Sequence, residues 1–192
     1  MSNNFIFIGD SLTFGYGINK NKSWIEKLTN ISFIKSNKFN IINKGINGNT
    51  TTDMLNRFSE DVSSLNPNSI FIMGGTNDLL SNRSISLIID NIEIMIKEGL
   101  LYTQNIYLGI PPYIIKKDAY KLFMPSLTYD YCENNLPILR ENLIILSKKY
   151  NIKYIDFYTE TKDKNNIFID GLHFNEDGHN LFLNLFLEVL QN

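Results

Sequence analysis

Short, almost purely apolar runs alternate along the chain with longer stretches whose apolar residues recur at helical spacing. Residues 4–8 read as a buried strand ended by Gly9, and residues 39–43 as a second. Residues 69–73 form a third, closed by Gly74-Gly75, and residues 105–110 a fourth, stopped by Pro111-Pro112; residues 152–155 make a short fifth. Between them, residues 23–30 read as a short helix. Leu55, Phe58, Val62 and Leu65 keep helical spacing until Asn66-Pro67. Ser84 is placed to cap a helix with Ile85, Ile88, Ile89, Ile92 and Ile96 on one face, and Gly99 stands where a left-handed C′ residue belongs. Pro137 is placed to open a helix running to about Tyr150, and residues 176–190 form a strongly apolar last helix. Residues 113–133 carry many aromatics and no clean period.

Strands that are apolar on consecutive residues need cover on both faces, and strands alternating with helices supply it. The expected fold is therefore α/β: a three-layer, flavodoxin-like arrangement with a parallel five-stranded sheet in the order 2-1-3-4-5 and helices on both faces. No linker, repeat or low-complexity tract interrupts residues 1–192, which read as one catalytic domain.

Composition narrows the classes. The chain has 192 residues, 43% of them apolar and 20% charged, so it can build a sizeable core. Its net charge of −2 argues against nucleic acid as the default partner. One cysteine, Cys132, excludes an intrachain disulfide and a cysteine-rich zinc site. Residues 1–4 lack a basic leader region, and no run reaches the roughly 18 apolar residues of a membrane span, so a cytoplasmic protein without membrane insertion is expected. Asn (27) and Ile (28) are abundant while Arg (3), Val (2) and Ala (1) are rare, the bias of an AT-rich gene. Motifs built of Gly, Ser, His and Asp consequently carry more information than any single Asn or Lys.

In an open parallel sheet, ligands bind beyond the carboxyl ends of the strands where strand order reverses. Here the loops at that place begin at Gly9-Asp10-Ser11, Gly45-Ile46-Asn47-Gly48 and Gly74-Gly75-Thr76-Asn77-Asp78. A serine nucleophile needs a base and a group that orients it. Only two histidines exist. His173 lies three residues after Asp170, in a turn that lets the carboxylate accept from Nδ1–H while Nε2 faces outward.

Gly9-Asp10-Ser11-Leu12 resembles the opening block of the SGNH, or GDSL-type, hydrolase family. Gly48, Asn77 and Asp170-Gly171-Leu172-His173 resemble its later blocks, in the same order, over residues 5 to about 180. The resemblance implies a serine esterase. Ser11 would be the nucleophile, His173 the general base and Asp170 its orienting carboxylate. The Ser11 and Gly48 backbone N–H groups and the Asn77 amide would form the oxyanion hole. It implies no cofactor and no metal, and a small-molecule ester as partner, an acylated alcohol or sugar with a short acyl or O-acetyl group. Thioester, lysophospholipid and acyl-transfer chemistry at the same site are the neighbouring alternatives. One departure stands out: Phe174 follows the histidine where the family often has proline.

Other residues have plainer readings. Asp10 and Asp78 are expected to hold their loops by local hydrogen bonds, His179 to be structural and Cys132 to be a packing or surface thiol. Trp24 and the aromatics at 113, 120, 123, 129 and 131 are expected in the core or its cover. A flavin- or phosphate-binding module competes for the first loop, Ser11-Leu12-Thr13-Phe14-Gly15, but leaves Asn77 and Asp170–His173 without a task. Gly15-Tyr16-Gly17 lacks the third glycine of a dinucleotide fingerprint, and no G-x-S-x-G elbow or P-loop is present. Nothing in the pattern specifies an oligomeric state.

Overall fold

Residues 5–8 alternate Phe and Ile, and the pleat of a strand sends the two types to opposite faces. Phe5 and Phe7 join one buried cluster with Phe71, Met73 and Tyr107, while Ile6 and Ile8 join another with Ile70, Ile72 and Leu108. The computed structural model, which describes residues 3–191 apart from the side chains of Leu122 and Phe123, therefore has a core on each side of one sheet. The strands are β1 (Asn3–Gly9), β2 (Phe39–Gly45), β3 (Ser69–Met73), β4 (Ile106–Ile110) and β5 (Lys153–Asp156), in the order β2-β1-β3-β4-β5 and all parallel.

The helices are α1 (Ser11–Phe14), α2 (Trp24–Leu28), α3 (Ser32–Ser36), α4 (Thr51–Asn56), α5 (Phe58–Asp61), α6 (Thr76–Leu80), α7 (Ile85–Gly99), α8 (Lys116–Phe123), α9 (Leu127–Tyr150), α10 (Phe157–Thr161) and α11 (Glu176–Gln191). Trp24 of α2 and Phe182 and Phe186 of α11 cover the Phe face. Met54 of α4, Ile88, Ile92 and Ile96 of α7, and Leu136, Leu139 and Leu143 of α9 cover the Ile face. Register aligns Gly9 with Gly45 on one neighbour and with Met73 on the other, so the first three loops leave the sheet at one edge. No helix among the described residues is long and apolar enough to cross a membrane.

Three expectations about helices need correction. Pro137 does not open a helix; it lies inside α9, which begins ten residues earlier under a cap from Ser126 to the Thr128 N–H. Tyr129, Cys132 and Leu136 continue the buried stripe of Leu139 and Leu143, so burial holds the helix through a residue that cannot donate to the ladder. Gly99 is not a left-handed C′ residue but the last residue of α7. A Cβ there would sit 2.9 Å from Ile70 Cδ1 and 3.1 Å from Ile106 Cδ1, so the glycine serves close helix–sheet approach. The helical spacing of residues 55–65 is divided between α4, α5 and a 3₁₀ turn at Ser63–Leu65, with Asn66 left-handed at its end. Trp24 and Tyr129 are buried, and Tyr113, Tyr120 and Tyr131 pack against the core; the Phe123 side chain lies outside the described residues.

Candidate active site

Loop one is set by the end of β1. A Cβ on Gly9 would meet Thr13 Oγ1 at 2.1 Å and the Met73 carbonyl at 2.8 Å, so only glycine lets α1 turn back over the sheet here. Asp10 caps α1, its carboxylate accepting from the Leu12 N–H. Ser11 is the first helical residue, so its own N–H has no acceptor within the helix. The residue is 8% exposed.

Residues 168–174 bring the histidine to it. Phe168 and Phe174 bridge antiparallel, the Ile169 N–H bonds the His173 carbonyl, and Gly171 takes a left-handed φ of 81° at the tip. Phe174 in place of proline is fully built in: its ring packs 4.7 Å from Phe182 and 4.8 Å from Phe168. Ser11 Oγ lies 3.0 Å from His173 Nε2, and His173 Nδ1 lies 2.6 Å from Asp170 Oδ2. A carboxylate only accepts, so Nδ1 carries the hydrogen and Nε2 is left to accept from the serine hydroxyl. Asp170 also accepts from the Leu172 and His173 N–H groups. Burial pushes its pKa up, but the bonds from the His173 ring and these two N–H groups outweigh it and hold the carboxyl below its usual range.

Loops two and three are tied to this edge and to each other. The Ile46 N–H donates to the Gly9 carbonyl. Asn77 Nδ2 donates to the Asn49 carbonyl at 2.9 Å, which uses one of its two amide hydrogens and leaves the other. Asp78, fully buried, accepts from the Thr51 N–H and hydroxyl, and burial raises its pKa. Gly48 has a φ of 77°, and nothing lies within 4 Å of where its Cβ would be, so backbone conformation selects the glycine and the space beside it is open. Ser11, His173 and Asp170 are thus bonded in series, while Gly48 and Asn77 stand on the second and third loops of the same edge, those loops joined by the bond from Asn77 to Asn49. Asp10 holds its loop by a local bond, as expected, whereas Asp78 acts at long range instead: its carboxylate ties loop three to Thr51 at the start of α4, 27 positions away in sequence.

Sequence reasoning passed over Arg57. Its guanidinium donates to Asn49 Oδ1, to Asp61 and to the Gly9 carbonyl, pinning loop two to the end of β1. It also passed over the Tyr16 ring, which packs 4.5 Å from the His173 ring. Tyr16 alone had a visible signal, its two flanking glycines. Cys132 is buried beneath Thr76, and its pKa is pushed up to about 12 by burial and by Glu133. Among the described residues no group of three or more His, Cys, Asp or Glu side chains could hold a metal ion.

His179 is 2% exposed and structural in its contacts: Nδ1 accepts from the Trp24 N–H, so Nε2 carries the hydrogen, without a partner among the described residues. Burial, then nearby Lys27, lower its pKa to about 4. Asp10 shifts the opposite way, raised to about 6 by burial, partly offset by the Leu12 N–H and His173. As pH falls through this window, the unfolded chain protonates His179 first, which costs stability. The folded chain protonates Asp10 first, which adds it. Each shift corresponds to about 3 kcal/mol, so the two nearly cancel in the native protein. Substitution separates them. From pH 7 to pH 4, denaturant titrations should show the stability of His179→Gln rising by about 3 kcal/mol relative to wild type, and that of Asp10→Asn falling by about as much.

The fold is a layered α/β one, with a serine, a histidine and an aspartate bonded in series at the carboxyl edge of its sheet. Comparison with known proteins makes the class specific. The model of the GDSL-like lipase/acylhydrolase family matches residues 7–181, and the chain belongs to that family of ester-hydrolysing enzymes. A member of the lipolytic G-D-S-L family from Veillonella parvula is 25% identical over 98% of both chains, with a TM-score of 0.80. Two further solved structures share the fold. The lipase/acylhydrolase from Enterococcus faecalis is 24% identical over 98% of this chain and 94% of its own, with a TM-score of 0.75. An acetylxylan esterase from Geobacillus stearothermophilus is 19% identical over the same shares, with a TM-score of 0.78. No curated protein sequence matches.

Proposed function

We propose that the protein hydrolyses carboxylic esters through an acyl-serine intermediate on Ser11, acting on esters with short acyl or O-acetyl groups. The observation that carries this reading is the continuous path from Ser11 Oγ to His173 Nε2 (3.0 Å) and from His173 Nδ1 to Asp170 Oδ2 (2.6 Å). Ser11 Oγ attacks the ester carbonyl as its proton passes to Nε2. The tetrahedral intermediate collapses, Nε2 returns the proton to the departing alcohol, and the acyl group stays on Oγ. Water then attacks with the same base, releasing the carboxylic acid and restoring Ser11.

Negative charge gathers on the carbonyl oxygen in both steps. The Ser11 N–H, the Gly48 N–H and the second amide hydrogen of Asn77 are its donors. The bond from Asn77 to the Asn49 carbonyl supports that role, because it fixes the amide plane before substrate arrives. Asn77→Ala should therefore lower kcat by about 10²–10³ with little change in KM, since the lost bond strengthens in the transition state. Steady-state kinetics on p-nitrophenyl acetate read this directly, and a rise in KM alone would remove Asn77 from the oxyanion hole.

A further inference from the structure

The turn Gly15-Tyr16-Gly17 has no part in the chemistry above, yet it is built to one purpose. The Gly15 and Tyr16 N–H groups both donate to the Ser11 carbonyl, at 2.9 and 3.0 Å. Gly15 and Gly17 adopt φ of 91° and 87°, which L side chains rarely take. A Cβ at Gly17 would meet Ile169 Cδ1 at 2.2 Å, and Ile169 bonds the His173 carbonyl through its own N–H. The backbone of Tyr16 is thus clamped to the serine on one side and abuts the histidine loop on the other. Its ring packs against the His173 ring at 4.5 Å and 47°, yet the residue stays 43% exposed. Core burial does not account for a ring held so firmly and left so open.

Given the proposed role of His173, on which this inference rests, the leaving alcohol must take its proton from Nε2. Its carbon skeleton then lies beside whatever flanks the imidazole, and on one flank that is Tyr16. An aromatic face is electron-rich and favours polarised C–H groups laid flat against it. Loop two, tied by the Ile46 N–H to the Gly9 carbonyl just before Ser11, exposes Ile46 and Asn47, and Asn47 is an uncharged amide that suits hydroxyl groups. We infer that Tyr16 selects the leaving alcohol, favouring ring-shaped polyols of the pyranose type that stack a C–H face on it.

The test compares a monoacetylated methyl hexopyranoside with a monoacetylated open-chain hexitol, which share the acyl group and differ in ring closure. The wild type should favour the pyranoside in kcat/KM by about tenfold. Tyr16→Ala and Tyr16→Leu should bring that ratio to within about twofold of unity, while Tyr16→Phe keeps it. A wild type with no preference, an alanine variant that retains it, or a phenylalanine variant that loses it would overturn the inference. Ser11→Ala, assayed on both esters, separates the two levels. If it stays active, the nucleophile assignment fails. If it is inert while the ratio ignores Tyr16, only the stacking inference fails.

Discussion

Ser11→Ala is expected to remove ester turnover, lowering kcat by about 10⁶ while the protein still folds. The size follows from what is lost. In the proposed mechanism no acyl-enzyme forms without Oγ, and His173 and Asp170 have nothing to activate, so the remaining donors act only on a distant water. Folding should be spared because Asp10, not Ser11, caps α1, and the Ser11 carbonyl that anchors Gly15 and Tyr16 belongs to the backbone. The measurements are burst and steady-state release of p-nitrophenol from p-nitrophenyl acetate, with a denaturation curve alongside. Wild-type turnover by the variant would show the nucleophile to be elsewhere.

The second large effect is expected from Asp170→Asn, about 10⁴ in kcat. The substitution is nearly isosteric, and the amide oxygen can still accept from the Leu172 and His173 N–H groups. What changes is the group facing Nδ1. The amide there presents a donor, so the imidazole is driven to the tautomer with its hydrogen on Nε2, where it cannot take the serine proton. Kinetics at saturating ester should show kcat reduced with KM little changed. A loss under about tenfold would mean that the carboxylate holds only the loop backbone.

The layers and the candidate site residues could be picked out for different reasons. Strands whose neighbouring residues are both apolar, such as Phe5-Ile6-Phe7-Ile8, declare cover on both faces, and the glycines after them mark the edge where loops gather. Ser11, Gly48, Asp170 and His173 stood out because motifs of Gly, Ser, Asp and His carry more information than the abundant Asn, Ile and Lys, whereas Asn77 stood out only by its place after Gly74-Gly75 in the third loop. What stayed hidden depends on tertiary contact. Pro137 signals a helix start locally, and only the buried stripe from Tyr129 to Leu143 overrides it. Gly99 resembles a helix stop until Ile70 and Ile106 are seen packed against it. Arg57 reaches the Gly9 carbonyl across 48 positions of sequence, and no local pattern announces that bond. Tyr16 carried its two glycines as a cue, but the ring they position it against stands near the other end of the chain.

The acyl group itself is the most direct witness to the mechanism. Turnover of p-nitrophenyl acetate quenched in acid within the burst, followed by peptide mass mapping, should place a single added acetyl group on the peptide containing Ser11, and none in Ser11→Ala. An acetyl group on another residue, or an active enzyme that never carries one, would contradict the account.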